Sequence, residues 1–170
     1  MQDVLLITGS MGVGKTATLG EASDLLAERG IAHAAVDLDA LGLAYGVNSA
    51  LGEIAIRNLV CVCANYESAG ITKLLAAGAV ESSEELEQIR RATNAQRTVV
   101  CRLRAPLAVM QRRVALRERG IFSEQYVARV GPLEARLDAV TLEDFSVETA
   151  EGSVTDAAQR MLTLAGWMTR

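Results

Sequence analysis

Residues 9–16 form the most chemically informative pattern in the chain, a glycine-rich segment that ends in lysine and threonine. The segment reads GSMGVGKT and matches G-x-x-x-x-G-K-[ST] completely. Glycines allow a tight loop whose backbone N–H groups point at phosphate oxygens, while the lysine and threonine suit the outer phosphates and Mg²⁺. The pattern therefore predicts nucleotide binding. The residues expected to take part are Gly9, Ser10, Met11, Gly12, Val13, Gly14, Lys15, Thr16 and Thr18.

The flanking residues have the pattern that such a loop requires. Residues 4–8, VLLIT, form a short apolar run typical of a buried parallel strand. Apolar residues then recur at helical spacing over about 15–29, and Gly30 is suited to end that helix. The loop would thus lie at a helix N-terminus, whose partial positive charge favours phosphate. A glycine-rich turn that merely caps the helix is the alternative, which this context disfavours.

Two aspartates, Asp37 and Asp39, stand at the end of the next predicted strand, residues 32–37. Residues two apart in a strand point to the same face. We therefore expect both carboxylates at the C-terminal edge of the sheet, where open α/β sheets bind ligands. A carboxylate there could orient an acceptor hydroxyl, take its proton or hold Mg²⁺ through water. Alternatively, Asp39 caps a helix that begins at residue 40.

A cluster of arginines follows in a predicted helix that begins near residue 106. The cluster consists of Arg112, Arg113, Arg117 and Arg119. Arginines that close over a nucleotide stabilise charge on the phosphoryl group in transfer. Gly120 and Gly131 flank a segment, about 117–131, that could move as a lid. A solvated helix face is the alternative interpretation of the cluster.

Strands and helices alternate along the whole chain. Further strands are predicted at residues 71–76, 98–103 and 145–148, and further helices over about 49–67, 82–91 and 154–164. This order predicts an α/β fold with a five-stranded, mostly parallel sheet and helices on both faces. Because no repeat or proline-rich linker divides the 170 residues, we expect a single domain, 1–170.

Composition excludes several classes of protein. A net charge of -4 argues against a nucleic-acid partner held by bulk charge. Without a signal-peptide pattern or an apolar run long enough to span a bilayer, we expect a cytoplasmic protein with no membrane partner. The three cysteines are interpreted as small buried hydrophobic residues rather than zinc ligands. The oligomeric state stays open.

With these elements in place, the chain resembles the small P-loop kinases. That group includes nucleoside-monophosphate, shikimate, gluconate and adenylylsulfate kinases and chloramphenicol phosphotransferase. The resemblance rests on the phosphate loop, the aspartates after the second strand, the arginine-rich helix and residues 147–152 after the last strand. It implies a three-layer P-loop NTPase fold with a small lid. It also implies an ATP-dependent phosphotransferase that uses Mg²⁺ and an unidentified small-molecule acceptor.

The resemblance also implies roles for individual residues. Asp39 would contact the acceptor and act as base, with Asp37 in support. Arg117 and Arg119 would act from the lid. Arg113 would join them at the nucleotide, and residues 149–152, including Gly152, would line the adenine pocket.

Arg57 lies on the helix after the second strand, where such kinases place residues that bind the acceptor. An arginine there could hold a carboxylate or phosphate of the acceptor. A solvent-facing Arg57 is the alternative, and the two interpretations are equally weighted by the sequence.

One acidic residue that the resemblance calls for is missing. The third strand and its exit, residues 74–80, read LLAAGAV and lack the usual Walker B aspartate. Glu81 could replace it or could only start the next helix. Otherwise Mg²⁺ would depend on Thr16, Asp37, the phosphates and water. This departure leaves an alternative function open, a nucleotide-binding accessory or regulatory protein with little phosphotransfer.

Overall fold

The computed structural model describes residues 1–44 and 51–169 and shows an open sheet covered by helices on both faces. The strands are β1 (Asp3–Thr8), β2 (Ala34–Asp37), β3 (Lys73–Ala77), β4 (Arg97–Arg104) and β5 (Phe145–Glu148). The helices are α1 (Lys15–Glu28), α2 (Leu38–Leu41), α3 (Leu51–Ser68), α4 (Ser83–Thr93), α5 (Leu107–Arg117), α6 (Ser123–Val140) and α7 (Val154–Leu164). The strand order is β2-β3-β1-β4-β5. The predicted α/β class is confirmed. The sheet was predicted to be mostly parallel, and all four strand pairings are parallel.

Strand β1 lies at the centre of the sheet and is buried on both faces. Leu5 and Ile7 pack into a core with α1, α5, α6 and α7. Val4 and Leu6 pack into a second core with α3 and α4. Because side chains alternate along a strand, the apolar run VLLI supplies both cores. Among the helices in the described part of the chain, none has the length and hydropathy of a membrane-spanning segment.

Strand register places the candidate residues at one edge of the sheet. Ala77 of β3 pairs with Ile7 of β1 on one side and with Asp37 of β2 on the other. The loop that follows β1 and the aspartate that ends β2 therefore emerge at the same C-terminal edge. This edge is where open α/β sheets bind ligands.

The chain after β2 differs from the prediction that Asp37 and Asp39 extend from one strand. Strand β2 ends at Asp37, and the next four residues form the short helix α2. The Asp39 N–H donates to Oδ1 of Asp37 at 3.1 Å. Asp37 is thus the capping residue, because its carboxylate satisfies a backbone donor that the helix leaves free. The prediction that Asp39 extends from the strand beside Asp37 was wrong, although the short helix keeps Asp39 at the same edge.

The segment expected to act as a lid, 117–131, is mostly helical. Helix α6 begins at Ser123 and continues through Pro132, so Gly131 lies inside a helix rather than at a hinge. The buried residues of α6 are Val130, Leu133 and Leu137. Their spacing gives one buried face, and that packing outweighs the poor helix propensity of the Gly-Pro pair. Only residues 118–122 of the expected lid lie outside the helices.

Candidate active site

The loop between β1 and α1 has a backbone that requires glycine. Gly9, Gly12 and Gly14 have φ angles of 145°, 76° and 108°, a region that other residues rarely adopt. A Cβ atom at Gly9 would lie 2.7 Å from the carbonyl oxygen of Leu103, and one at Gly12 would overlap the carbonyl oxygen of Met110. The loop is therefore held closely between β4 and α5. This rigidity suits a loop that must present its N–H groups together.

Lys15 bends back over the loop that precedes it. Its Nζ donates to the carbonyl oxygens of Gly9 at 3.0 Å and Ser10 at 3.3 Å. Burial lowers the pKa of Lys15, an effect that Asp39 and then Asp37 oppose and Arg117 reinforces. Lys15 thus forms a partly desolvated cationic centre at the mouth of the loop. Such a centre attracts anions more strongly than a lysine in open water.

Thr16 and Asp37 form an oxygen pair beside Lys15. The Thr16 hydroxyl donates to Oδ2 of Asp37 at 2.8 Å. Mg²⁺ is usually bound through one or two such protein oxygens, with phosphates and water completing its shell. Within residues 1–44 and 51–169, no group of three or more His, Cys, Asp or Glu residues could hold a metal ion. The hydroxyl and carboxylate oxygens of Thr16 and Asp37 are ligands of the kind that Mg²⁺ takes in proteins.

A cavity of about 440 Å³, here called the phosphate cavity, opens above the loop. It is lined by Met11, Gly12, Gly14, Lys15, Thr16, Ala17, Asp39, Arg113 and Arg117. Elements far apart in the sequence contribute to it: the loop with α1, then α2, then α5. This lining holds three cationic side chains and one carboxylate, and Nε of Arg117 also donates to the Glu118 carboxylate at 2.8 Å. The excess of positive charge in the lining suits a polyphosphate.

A second cavity of about 230 Å³, here called the α7 cavity, adjoins the first. It is lined by Val13, Gly14, Ala17, Thr18, Arg113, Thr149, Gly152, Ser153, Val154 and Ala157. Gly14, Ala17 and Arg113 line both cavities, so the two are parts of one cleft. The structure thereby brings Thr18 and Gly152, two of the residues expected at the nucleotide, to the cleft.

Arg113 ties three elements together at the junction of these cavities. Its Nη2 donates to the carbonyl oxygen of Thr149 at 2.7 Å, and its Nη1 lies 3.4 Å from the carbonyl oxygen of Val13. The Thr149 hydroxyl also donates to the Val13 carbonyl oxygen, at 2.7 Å. Arg113 and Thr149 therefore fix the loop against α5 and the exit of β5. This positioning role of Thr149 has no signal in the sequence beyond its place after the last strand.

Some of the predicted residues lie elsewhere. Ser10 is 0% exposed and absent from the linings of both cavities of the cleft, and its hydroxyl donates to the carbonyl oxygen of Val130 in α6. Arg119 is exposed and outside the described cavity linings, with Nε 3.4 Å from the carbonyl oxygen of Leu116. The Glu81 carboxylate accepts from Nε of Arg136 at 2.5 Å.

A third cavity of about 200 Å³, here called the α3–α4 cavity, lies on the other side of Asp39. It is lined by Leu38, Asp39, Gly52, Ala55, Ile56, Leu59, Gly78, Ala79, Val80, Glu85, Gln88 and Ile89. Glu85 and Gln88 were not among the residues predicted from the sequence, although their spacing on α4 could have indicated a shared face. Arg57 is exposed and is not part of this lining. Asp39 lines both this cavity and the phosphate cavity.

Several solved structures share this fold over nearly the whole chain. The APS kinase of Mycobacterium tuberculosis, solved with AMPPNP and APS, has a TM-score of 0.65 at 18% identity and covers 97% of this chain and 98% of its own. The shikimate kinase of Acinetobacter baumannii, solved with shikimate, has a TM-score of 0.58 at 20% identity, covering 96% and 92%. The tunicamycin resistance protein of Deinococcus radiodurans has a TM-score of 0.63 at 16% identity, covering 98% and 96%.

At these identities the similarity establishes the fold. The chain has the all-parallel, five-stranded α/β fold of the P-loop small-molecule kinases, as the sequence resemblance predicted. No protein-family model matches the sequence, and no curated protein is significantly similar to it.

Proposed function

We propose that the protein transfers the γ-phosphoryl group of ATP to a hydroxyl group of a small molecule. The observation that carries this proposal is the position of Asp39, which lines both the phosphate cavity and the α3–α4 cavity. A carboxylate between a phosphate-binding space and a second space suits a residue that handles the acceptor hydroxyl. The shared fold with P-loop small-molecule kinases supports the same reaction class.

The cleft offers a place for each part of the nucleotide. The phosphates would lie on the loop N–H groups, with Lys15, Arg113 and Arg117 supplying positive charge. The adenine would occupy the α7 cavity, against Thr149 and Gly152. Thr16 and Asp37 would hold Mg²⁺, which when bound neutralises charge on the β- and γ-phosphates. Because ATP is the proposed donor, we further propose that the protein works in the cytoplasm.

The proposed transfer is an in-line displacement at the γ-phosphorus. The acceptor oxygen forms a new O–P bond while the bond from the γ-phosphorus to the β–γ bridging oxygen breaks, and ADP leaves with that electron pair. Asp39 takes the hydroxyl proton and passes it to water. Lys15 and Arg117 stabilise the charge that spreads over the transferring group.

The Lys15→Ala variant tests this proposal most simply. We expect ATP consumption in the presence of acceptors to fall on the order of 10²–10³-fold, because a cation facing the developing charge is lost. Lys73→Ala is the matched control, since Lys73 is the only other lysine and pairs with Asp3 on β1 instead. Retained turnover in a folded Lys15→Ala protein would refute the assignment.

A nucleotide-binding accessory protein is the second candidate. It is favoured by the exit of β3, where Gly78, Ala79 and Val80 stand in place of a Walker B acid. Hydroxylated metabolites, nucleosides and antibiotics incubated with labelled ATP would distinguish the two functions. Tight ATP binding with no acceptor-dependent product would favour the accessory role.

A further inference from the structure

We infer that the acceptor is a compact alcohol that carries no carboxylate or phosphate group. The inference rests on the proposed function and concerns the α3–α4 cavity, which adjoins the phosphate cavity at Asp39. It also departs from the expectation that Arg57 grips an anionic group of the acceptor.

The wall contributed by α3 is apolar and made partly of small residues. Gly52, Ala55, Ile56 and Leu59 line the cavity, a spacing that places them on one face of the helix. Because Gly52 and Ala55 are small, they leave room in the cavity, and Ile56 and Leu59 provide apolar contact. An acceptor with a hydrocarbon body fits this wall because burying it removes apolar surface from water.

The polar groups of the cavity are two carboxylates and one amide. Asp39 stands at the border with the phosphate cavity, while Glu85 and Gln88 come from α4. Oε2 of Glu85 accepts from the backbone N–H of Glu81 at 2.6 Å, which fixes the orientation of that carboxylate. These groups can accept hydrogen bonds from a hydroxyl or an amide, but two of the three would repel an anion.

Basic side chains are absent from this lining in the described part of the chain. The lining holds no Lys, Arg or His, and the sequence of residues 45–50 contains none either. Arg57 follows Ile56 by one residue, which turns it about 100° away around the helix, and its side chain is exposed. Arg117 lines the phosphate cavity instead.

An anionic acceptor would therefore lose hydration without gaining a cationic partner. Removing a charge from water without such a partner is unfavourable, and the carboxylates of Asp39 and Glu85, which are themselves solvent-exposed, add repulsion. A neutral acceptor meets neither obstacle, since its reactive hydroxyl can donate to Asp39 and a second polar group can pair with Gln88. The cavity thus selects against acids as much as it selects for alcohols.

The direct test is binding of isosteric pairs to the full chain saturated with AMPPNP and Mg²⁺. We would compare hydroxycyclopentane- and hydroxycyclohexane-carboxamides with the corresponding carboxylates by saturation-transfer NMR. The carboxamides should bind about tenfold or more tightly than their acids, because only the acids meet like charge. Equal or tighter binding of the acids, or no binding by any amide of the set, would overturn the inference.

A charge introduced into the cavity should reverse this preference. In Gln88→Arg, the acids should gain affinity about tenfold relative to the amides, because a guanidinium now faces the ligand. Gln159→Arg is the matched control, with the same substitution at an exposed position on α7. The inference also fails if Arg57→Gln removes binding of an acid, because the anion would then be held from the other face of α3.

Product analysis separates this inference from the proposed function. If the amides bind but no phosphate ester forms with any acceptor, the phosphotransferase proposal fails while the cavity inference stands. If phosphate esters form with the acids in preference to the amides, phosphotransfer stands and the cavity inference fails.

Discussion

The phosphate cavity and the α3–α4 cavity meet at Asp39, yet they are built in opposite ways. The first is formed by a contiguous loop of backbone, with Lys15, Arg113 and Arg117 adding positive charge. The second is formed by residues of α2, α3, α4 and the exit of β3, and its charged groups are carboxylates. Phosphate groups, which many unrelated ligands share, can be bound by backbone N–H groups in a fixed geometry. Discrimination between one acceptor and another requires specific side chains.

The residue shared by the two cavities should give the largest effect. Asp39→Asn keeps the shape of the side chain but removes the proton acceptor. We expect kcat to fall about 10²–10⁴-fold with ATP affinity nearly unchanged, measured by steady-state kinetics and calorimetry. Asp24→Asn, the same change at an exposed position on α1, is the control. An unchanged kcat would show that the Asp39 carboxylate, at the border of the two cavities, is not the proton acceptor.

A change confined to the phosphate cavity should weaken the nucleotide alone. Gly12→Ala would place a Cβ against the Met110 carbonyl oxygen at a φ of 76°. Strain of this kind should reduce ATP affinity roughly 10–100-fold, as measured by calorimetry. Gly20→Ala adds the same atom within α1 where nothing lies within 4 Å, and ATP affinity should be retained. Equal effects of the two substitutions would contradict a rigid loop.

A change confined to the α3–α4 cavity should do the reverse. Ala55→Leu fills part of the cavity, so KM for the acceptor should rise about tenfold while KM for ATP stays constant. Ala64→Leu is the control, because Ala64 is exposed on the same helix. If Ala55→Leu raised KM for ATP as strongly as KM for the acceptor, the separation of the two cavities would be wrong.

Thiol labelling checks the orientation of α3, and of these tests it concerns function least. Cys61 is exposed on α3, contrary to the expectation that all three cysteines are buried, whereas Cys63 and Cys101 are buried. Burial, reinforced by the Glu143 carboxylate, raises the pKa of Cys101 to about 12. At pH 8 only Cys61 should react rapidly with a thiol reagent in the native protein, because the thiolate is the nucleophile.

The Cys101 thiol also makes a prediction for alkaline stability. The folded state favours the neutral form of the Cys101 thiol. The stability that this thiol contributes is therefore complete below the pKa of an unfolded thiol and is lost as the pH rises through about 12. Cys101→Ala should therefore lose less stability than the wild type over that range in urea unfolding. Rapid labelling of two or three thiols at pH 8 would contradict the burial of Cys63 and Cys101. The same loss of stability at alkaline pH in Cys101→Ala and in the wild type would contradict the raised pKa of Cys101.

The strand-loop-helix arrangement around the glycine-rich loop could be predicted from the sequence because its residues are contiguous and their geometry is local. Lys15, Thr16, Asp39, Arg113 and Arg117 do lie together around one cavity. Asp39 lies at the predicted edge of the sheet. It is not placed there by strand alternation, because the chain leaves β2 as a short helix that Asp37 caps.

What the sequence could not predict depends on tertiary packing. Helix α6 continues through a Gly-Pro pair because its buried face packs on the core. Arg57 and Arg119 lie outside the described cavity linings, because the direction of each side chain is set by helical phase and by where α5 ends. The α3–α4 cavity draws on four separate segments, and Glu85 and Gln88 gain meaning only when those segments meet.

The most direct test of the central claim is ³¹P NMR of the wild-type protein with ATP, Mg²⁺ and a mixture of small alcohols. The account predicts a new phosphomonoester resonance that grows one for one with ADP and does not form with Lys15→Ala. Release of ADP with inorganic phosphate alone, or unchanged ATP under conditions where ATP is bound, would contradict it.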